Sequence, residues 1–238
     1  IHGTIQHISI TESNIIGYHY VGGIAGQLYD NSIIKHCNIN IKVNGNNYVG
    51  GIAGALQNHS KIQDCNNTGS VISGNYYIGG IAGSVSVNSH VQVCHNTGKI
   101  SGENYIGGVS GELKENSTVQ SCYNTGQSKA NFTVGGVAGT ISNNSQINAC
   151  YNIGEITGRT YVGGIAGRLT EISKIQFCYN TGEIKEASHS GGVAGCLMNN
   201  SEIQSCYNTG KITGHYQIGG VAGELQKNST IQSCYNTG

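Results

Sequence analysis

Nine cysteines carry most of the chemistry that this 238-residue chain could do. Eight of them, Cys37, Cys65, Cys94, Cys122, Cys150, Cys178, Cys206 and Cys234, recur every 28 or 29 residues. Zinc sites draw on cysteines roughly two to four residues apart, so this spacing is not a metal pattern. If the recurrences stack, their Cα atoms lie about 4.8 Å apart, within reach of a disulfide. Side chains pointing in parallel would strain such a bond. Aligning G-T-I-Q-H-I on S-K-I-Q-F-C places Ile8 where a cysteine stands later. A position that accepts isoleucine is apolar and enclosed, and buried free cysteine behaves as a small hydrophobe. Unlinked thiols in a core are therefore expected, with neighbour-to-neighbour disulfides as the alternative. The ninth, Cys196, falls at a variable position and is expected to face outward as the most reactive thiol.

Carboxylates offer less. Acid–base catalysis needs groups held together. Asp occurs only at Asp30 and Asp64, and Glu112, Glu155, Glu183, Glu202 and Glu224 are scattered over variable positions. The nine histidines form no ligand pair. A polysaccharide-degrading site is the enzymatic alternative, but no catalytic residue, metal ligand or cofactor is expected.

Two further residue sets could meet a ligand. Thr68, Thr97, Thr125, Thr181, Thr209 and Thr237 share one position, interrupted by Ile153. Two residues before them stand Tyr123, Tyr151, Tyr179, Tyr207 and Tyr235, with Asn66 and His95 earlier. Facing outward, these would be adjacent Tyr and Thr ranks, able to hold a glycan or order water as an ice-binding face does. The plainer reading is a solvated β-face. Glycosylation sequons stand at Asn58, Asn66, Asn116, Asn131, Asn143, Asn199 and Asn228. Five of them precede a recurrent Ser, in a turn that a glycan could reach.

What must position all of these is V-G-G-I-A-G, first met at Val21 to Gly26. Its Gly-Gly returns at Gly50, Gly79, Gly107, Gly135, Gly163, Gly191 and Gly219, at intervals of 28 or once 29 residues. A fixed period of this size marks a repeat architecture. In one coil, Tyr151 to Cys178, three short apolar strips appear: Val162, Ile165 and Leu169; Ile175 with Cys178; and Ile156 between Gly154 and Gly158. Gly, Asn, Ser and Thr bound them, and none keeps a helical rhythm, so three short strands are expected. Alternation along the first strip points Ile165, Gly167 and Leu169 inward and Gly164, Ala166 and Arg168 outward. A smooth outer strip follows, made of Gly23, Ala25, Gly51, Ala53, Gly80, Ala82, Gly136, Ala138, Gly164, Ala166, Gly220 and Ala222. It is the candidate surface for lateral contact.

Stacked coils give an all-β parallel β-solenoid of about eight 28-residue coils, right-handed by the usual crossover rule. At about 4.8 Å per coil the rod is roughly 40 Å long. One domain, 1–238, is expected, with 1–36 a degenerate first coil and 37–238 regular. The single extra residue should bulge between Gly69 and Gly79, near Asn75 to Tyr77, without breaking the ladder. Asn67, Asn96, Asn124, Asn152, Asn180, Asn208 and Asn236 recur in a corner, where stacked amides can bond along the axis. The glycine of each N-T-G suits a left-handed turn. The first corner differs, with Ile39 and Ile41 in place of this pattern.

V-G-G-I-A-G followed by a Cys-Tyr-Asn-Thr-Gly segment resembles GLUG-type repeats of large microbial surface proteins, including regions of immunoglobulin A-cleaving metallopeptidases. The resemblance covers nearly the whole chain and implies an extracellular, repetitive stalk. It brings no protease activity, because no H-E-x-x-H is present. Twelve basic and twelve acidic residues leave no net charge and no basic patch for nucleic acid. No apolar run is long enough to span a membrane. The 38 glycines lack the every-third-residue spacing of collagen. The chain opens without Met and shows no capping segment, so flanking domains or self-association of the ends are the expected partners. The expected role is structural: a stalk, adhesin shaft or fibre subunit at the cell surface, without catalysis.

Overall fold

The computed structural model describes residues 3–69 and 71–238. Among them there is no helix, and the strands fall into three parallel sheets. A nine-stranded sheet runs from Thr4–Gln6 to Thr230–Gln232, and an eight-stranded sheet from Ala25–Leu28 to Ala222–Leu225. A nineteen-stranded sheet runs from Ser9–Ile16 to Tyr235–Asn236, joining the segments on either side of the coil's third corner. Identical residues pair across successive coils, as in Tyr151↔Tyr179 and Ile147↔Ile175. The parallel β-solenoid read from the period is the fold that the chain adopts.

β-branched residues make the core because they fit a pleated, enclosed surface. Ile62, Val91, Val119, Ile147, Ile175 and Ile203 form one fully buried row, and Val49, Ile78, Ile106, Val134 and Val162 another. Each such side chain contributes about 1.5–3 kcal/mol by leaving water. The offset between coils is 28 at Asn38↔Asn66 but 29 at Lys42↔Val71. The extra residue therefore enters between Asn67 and Val71 and not near Asn75 to Tyr77, where Tyr76↔Asn47 already keeps the new offset. Pairing resumes at once. Ser70, within this interval, lies outside the described residues.

V-G-G-I-A-G does not form a single strand. Thr160–Gly163 belongs to the nineteen-stranded sheet and Ala166–Leu169 to the eight-stranded one, with a bend at Gly164 and Ile165 between them. A bend resets alternation, so the outward strip expected from parity does not exist. Ala53, Ala82, Ala138 and Ala166 are completely buried, and Gly23, Gly51, Gly80, Gly136 and Gly164 are buried too. Only Ala25, Gly220 and Ala222, in terminal coils, are half-exposed. Pairing also skips Gly167, so that Ala166 and Leu169, three residues apart, both reach the core.

Left-handed backbone shapes the corners, but glycine does not supply it. Thirty-three non-glycine residues have positive φ, and among the described residues no glycine does. Three rows account for most of them. They are the turn pair before Ser (Asn58, φ 52°; His59, φ 62°), the residue before Cys (Val93, φ 53°) and the residue before V-G-G (Tyr48, φ 55°). The N-T-G glycines, expected to turn left-handed, are needed for closeness instead. A Cβ on Gly98 would collide with the carbonyl oxygen of Gly69 one coil below.

Candidate functional site

The side chains singled out by spacing become five ladders along the solenoid axis. The asparagine ladder is the most complete. Asn67 through Asn208 are completely buried. Each Nδ2 donates to the Oδ1 one coil on, at 2.7 Å for Asn96 to Asn124 and 2.8 Å for Asn124 to Asn152 and Asn152 to Asn180. The same Nδ2 also donates to the carbonyl of the following glycine, 2.8 Å from Asn152 to Gly154. Room for the amides comes from the second glycine of V-G-G. A Cβ on Gly80 would lie 2.5 Å from Cγ of Asn96. In the first corner Ile39 and Ile41 fill that space, 3.1 and 2.9 Å from the same point above Gly23.

The serine and cysteine rows have a common task. Backbone N–H of Ser60, Ser89 and Ser117 is met by the Oγ one coil on, at 3.1–3.2 Å. Backbone N–H of Cys65, Cys94, Cys122, Cys150 and Cys178 is met in the same way by the next Sγ, at 3.3–3.4 Å. Buried donors must be satisfied, and a small side chain carrying O or S does this at a corner where no carbonyl stands above. Cys37 through Cys206 are buried, Cys234 is half-buried, and all are free thiols. Burial pushes the thiols of Cys94 and Cys150 well above the usual range.

Two aromatic ladders flank the long sheet. Tyr123, Tyr151, Tyr179, Tyr207 and Tyr235 stack at 4.8–5.0 Å with planes within 4° of parallel, and His95 continues the stack below Tyr123 at 4.7 Å. The second ladder was not anticipated: Tyr20, Tyr48, Tyr77 and Tyr105 stack at 4.8–5.1 Å. Its signal was present in the sequence, as an aromatic directly before V-G-G at the coil period. Stacking covers the ring faces that a sugar would need. Beside the first ladder, Thr68, Thr97, Thr125, Thr181, Thr209 and Thr237 are exposed in one rank with Ile153.

Cys196 is not outward. It is completely buried, and its strand partner one coil on is Glu224. Burial first, then the Glu224 charge, pushes the thiol up to about 12. Its row varies from Ala55 to Arg168 because it packs against the residues preceding V-G-G; the Arg168 guanidinium lies 6.0 Å from the Tyr161 ring centre. The row is thus mixed: Ala55, Ser84, Glu112 and Cys196 are buried, Thr140, Arg168 and Glu224 half-exposed and Gln27 exposed.

The carboxylates are dispersed, and four glutamates are paired with lysines. Lys114 lies 3.0 Å from Glu112, Lys174 2.9 Å from Glu202, and Lys185 reaches both Glu155 at 2.6 Å and Glu183 at 3.2 Å. The Lys185 hydrogen bond holds the Glu155 carboxyl below its ordinary range. A glycosidase pair needs one carboxyl held protonated, and this pairing does the opposite. His36 and Asp64 lie 3.5 Å apart on the surface, and Asp30 accepts from Asn58. A depression of about 330 Å³ at Glu12, Asn14, Asn40 and Lys42 follows the register shift between Thr11 and Asn14. Among the described residues no group of three or more His, Cys, Asp or Glu could hold a metal ion, and no helix is long and apolar enough to cross a membrane.

Of the sequon asparagines, Asn116, Asn131, Asn143 and Asn228 are exposed and Asn58, Asn66 and Asn199 half-buried. Some amides are engaged, as Asn199 is with Thr170 at 3.0 Å.

The GLUG motif matches three stretches, residues 17–44, 45–72 and 186–213. Each is one 28-residue coil. A search of curated proteins gives no match, and a search of solved structures gives none either. Three coils of one continuous set of ladders therefore carry the GLUG motif, two toward its start and one toward its end.

Proposed function

We propose that the chain is a rigid, non-catalytic shaft in a cell-surface or extracellular protein, a stalk or adhesin shaft that holds flanking parts a fixed distance apart. The observation that carries this reading is the unbroken register. The three sheets and the asparagine and cysteine ladders pass from coil to coil with only local irregularities. Corners that in many proteins are loops are here locked by buried hydrogen bonds, so bending the rod would break several at once. Regular architecture and dispersed carboxylates, four of them paired with lysines, favour support over chemistry. Its partners are flanking domains or further copies of the same architecture.

The test is to fuse a fluorescent donor and acceptor to the two ends and to delete two coils, residues 94–149, which rejoins Val93 to Cys150 in phase. A shaft predicts a fixed separation that shortens by about 10 Å on deletion. A separation that is broad, or unchanged by the deletion, contradicts it. One observation favours a second reading, ice binding: the threonine rank is exposed and in register. Thermal hysteresis abolished by Thr125→Tyr would support that reading over the first.

A further inference from the structure

Nine of the fourteen tyrosines belong to the two stacks. In each stack the rings are held parallel, one coil apart, and most are only half-buried. Tyr18 and Tyr216 are more exposed, at 68% and 72%, but neither stacks on another tyrosine. Accessibility and pairing are thus separated within one molecule.

We propose that the two stacks are oxidative modification sites, where one-electron oxidation joins tyrosines of successive coils as dityrosine. The oxidant class is hydrogen peroxide acting through a haem peroxidase. Each of two phenols gives up one hydrogen atom, and the peroxide is reduced to two waters. The two phenoxyl radicals form one carbon–carbon bond between ring carbons ortho to the hydroxyls. The hydrogens on those carbons then move to the phenolic oxygens, which restores both rings.

Stacking favours this reaction because the second ring is already in place. Coupling of isolated surface tyrosines requires two chains to meet. Here partners 4.8–5.1 Å apart need only a tilt toward one another, so coupling is intramolecular. The product ties residue i to residue i+28 or i+29 and closes successive coils covalently. This inference stands apart from the shaft reading and holds or fails without it.

The experiment treats the dilute full chain with peroxide and a peroxidase, then maps cross-linked peptides by mass spectrometry and dityrosine by fluorescence. The expected products are intramolecular and join stacked neighbours, such as Tyr151 with Tyr179 and Tyr48 with Tyr77. Tyr151→Phe combined with Tyr207→Phe keeps the ring stack but leaves no adjacent pair of phenols among Tyr123, Tyr179 and Tyr235. All cross-links of that stack should vanish while those of Tyr20 to Tyr105 persist, with the circular dichroism unchanged. Products dominated by Tyr18 or Tyr216, products that depend on protein concentration, or cross-links among Tyr123, Tyr179 and Tyr235 surviving in the double variant would each overturn the proposal.

Discussion

Gly164 lies directly beneath Asn180: a Cβ on Gly164 would stand 2.5 Å from the Cβ of Asn180 and would also strike the carbonyl oxygen of Gly192. Neither neighbour is a flexible tip. One is the first carbon of a completely buried side chain, and the other is backbone. The second glycine of V-G-G is therefore the empty half of the asparagine ladder, and the two sequence signatures of the repeat are one packing unit.

Gly164→Ala should therefore cost about 3 kcal/mol or more, as overpacking against backbone does. Gln204→Ala, in the outward row of the nine-stranded sheet, should change stability by less than about 0.5 kcal/mol. Chemical denaturation of both variants checks the contrast. Equal effects would mean that Gly164 does not make room for Asn180.

The cysteine row gives a prediction that separates two accounts of it. If the thiols only fill space, Cys150→Val should be tolerated better than Cys150→Ser. Cys150 Sγ, however, receives the Cys122 N–H at 3.3 Å. Valine leaves that buried donor unmet, at about 1–3 kcal/mol, whereas serine keeps an acceptor. Cys150→Ser should be the milder change in thermal or chemical unfolding.

Ile172 holds φ at 64° and Val93 at 53°, although β-branched residues strongly disfavour this region. Both are exposed, at 55% and 50%, so replacing them sacrifices little burial. Ile172→Asn and Val93→Asn should each stabilise the chain by about 0.5–1 kcal/mol. Calorimetry should show a higher Tm for each variant, and a lower one would count against strain at these corners.

Tyr77 predicts a pH dependence. Burial, with the Glu112 charge adding to it, raises its phenol from 10.0 to about 12. The unfolded chain therefore releases this proton first as pH rises. The stability that Tyr77 contributes is whole below pH 10 and is lost as the pH climbs from 10 toward 12. Tyr77→Phe should make the alkaline fall of stability shallower over that window, measured as the denaturation midpoint against pH.

The period, the inward isoleucines, the asparagine ladder and the outward Tyr–Thr rank were legible because each recurs as a row, and stacking turns rows into contacts. The bend at Gly164 and Ile165 was not. Alternation assumes a continuous strand, and nothing in V-G-G-I-A-G announces that the first glycine packs against the carbonyl three residues on. That error moved Ala166 and Cys196 to the wrong side. The left-handed corners escaped for another reason: glycine is the usual signal for positive φ, and here Tyr48, Val93 and His59 carry it while the glycines serve close approach. The Tyr20 to Tyr105 stack could have been found by aligning the residue before V-G-G.

The central claim is a rigid rod in which every coil adds the same rise. Gln63 and Gln232 stand in one outward row, six coils apart. Spin labels at these two positions, measured by double electron–electron resonance, should give one narrow distance near 29 Å. A broad distribution, or a distance that does not scale when the second label is moved to Gln176, would contradict the account.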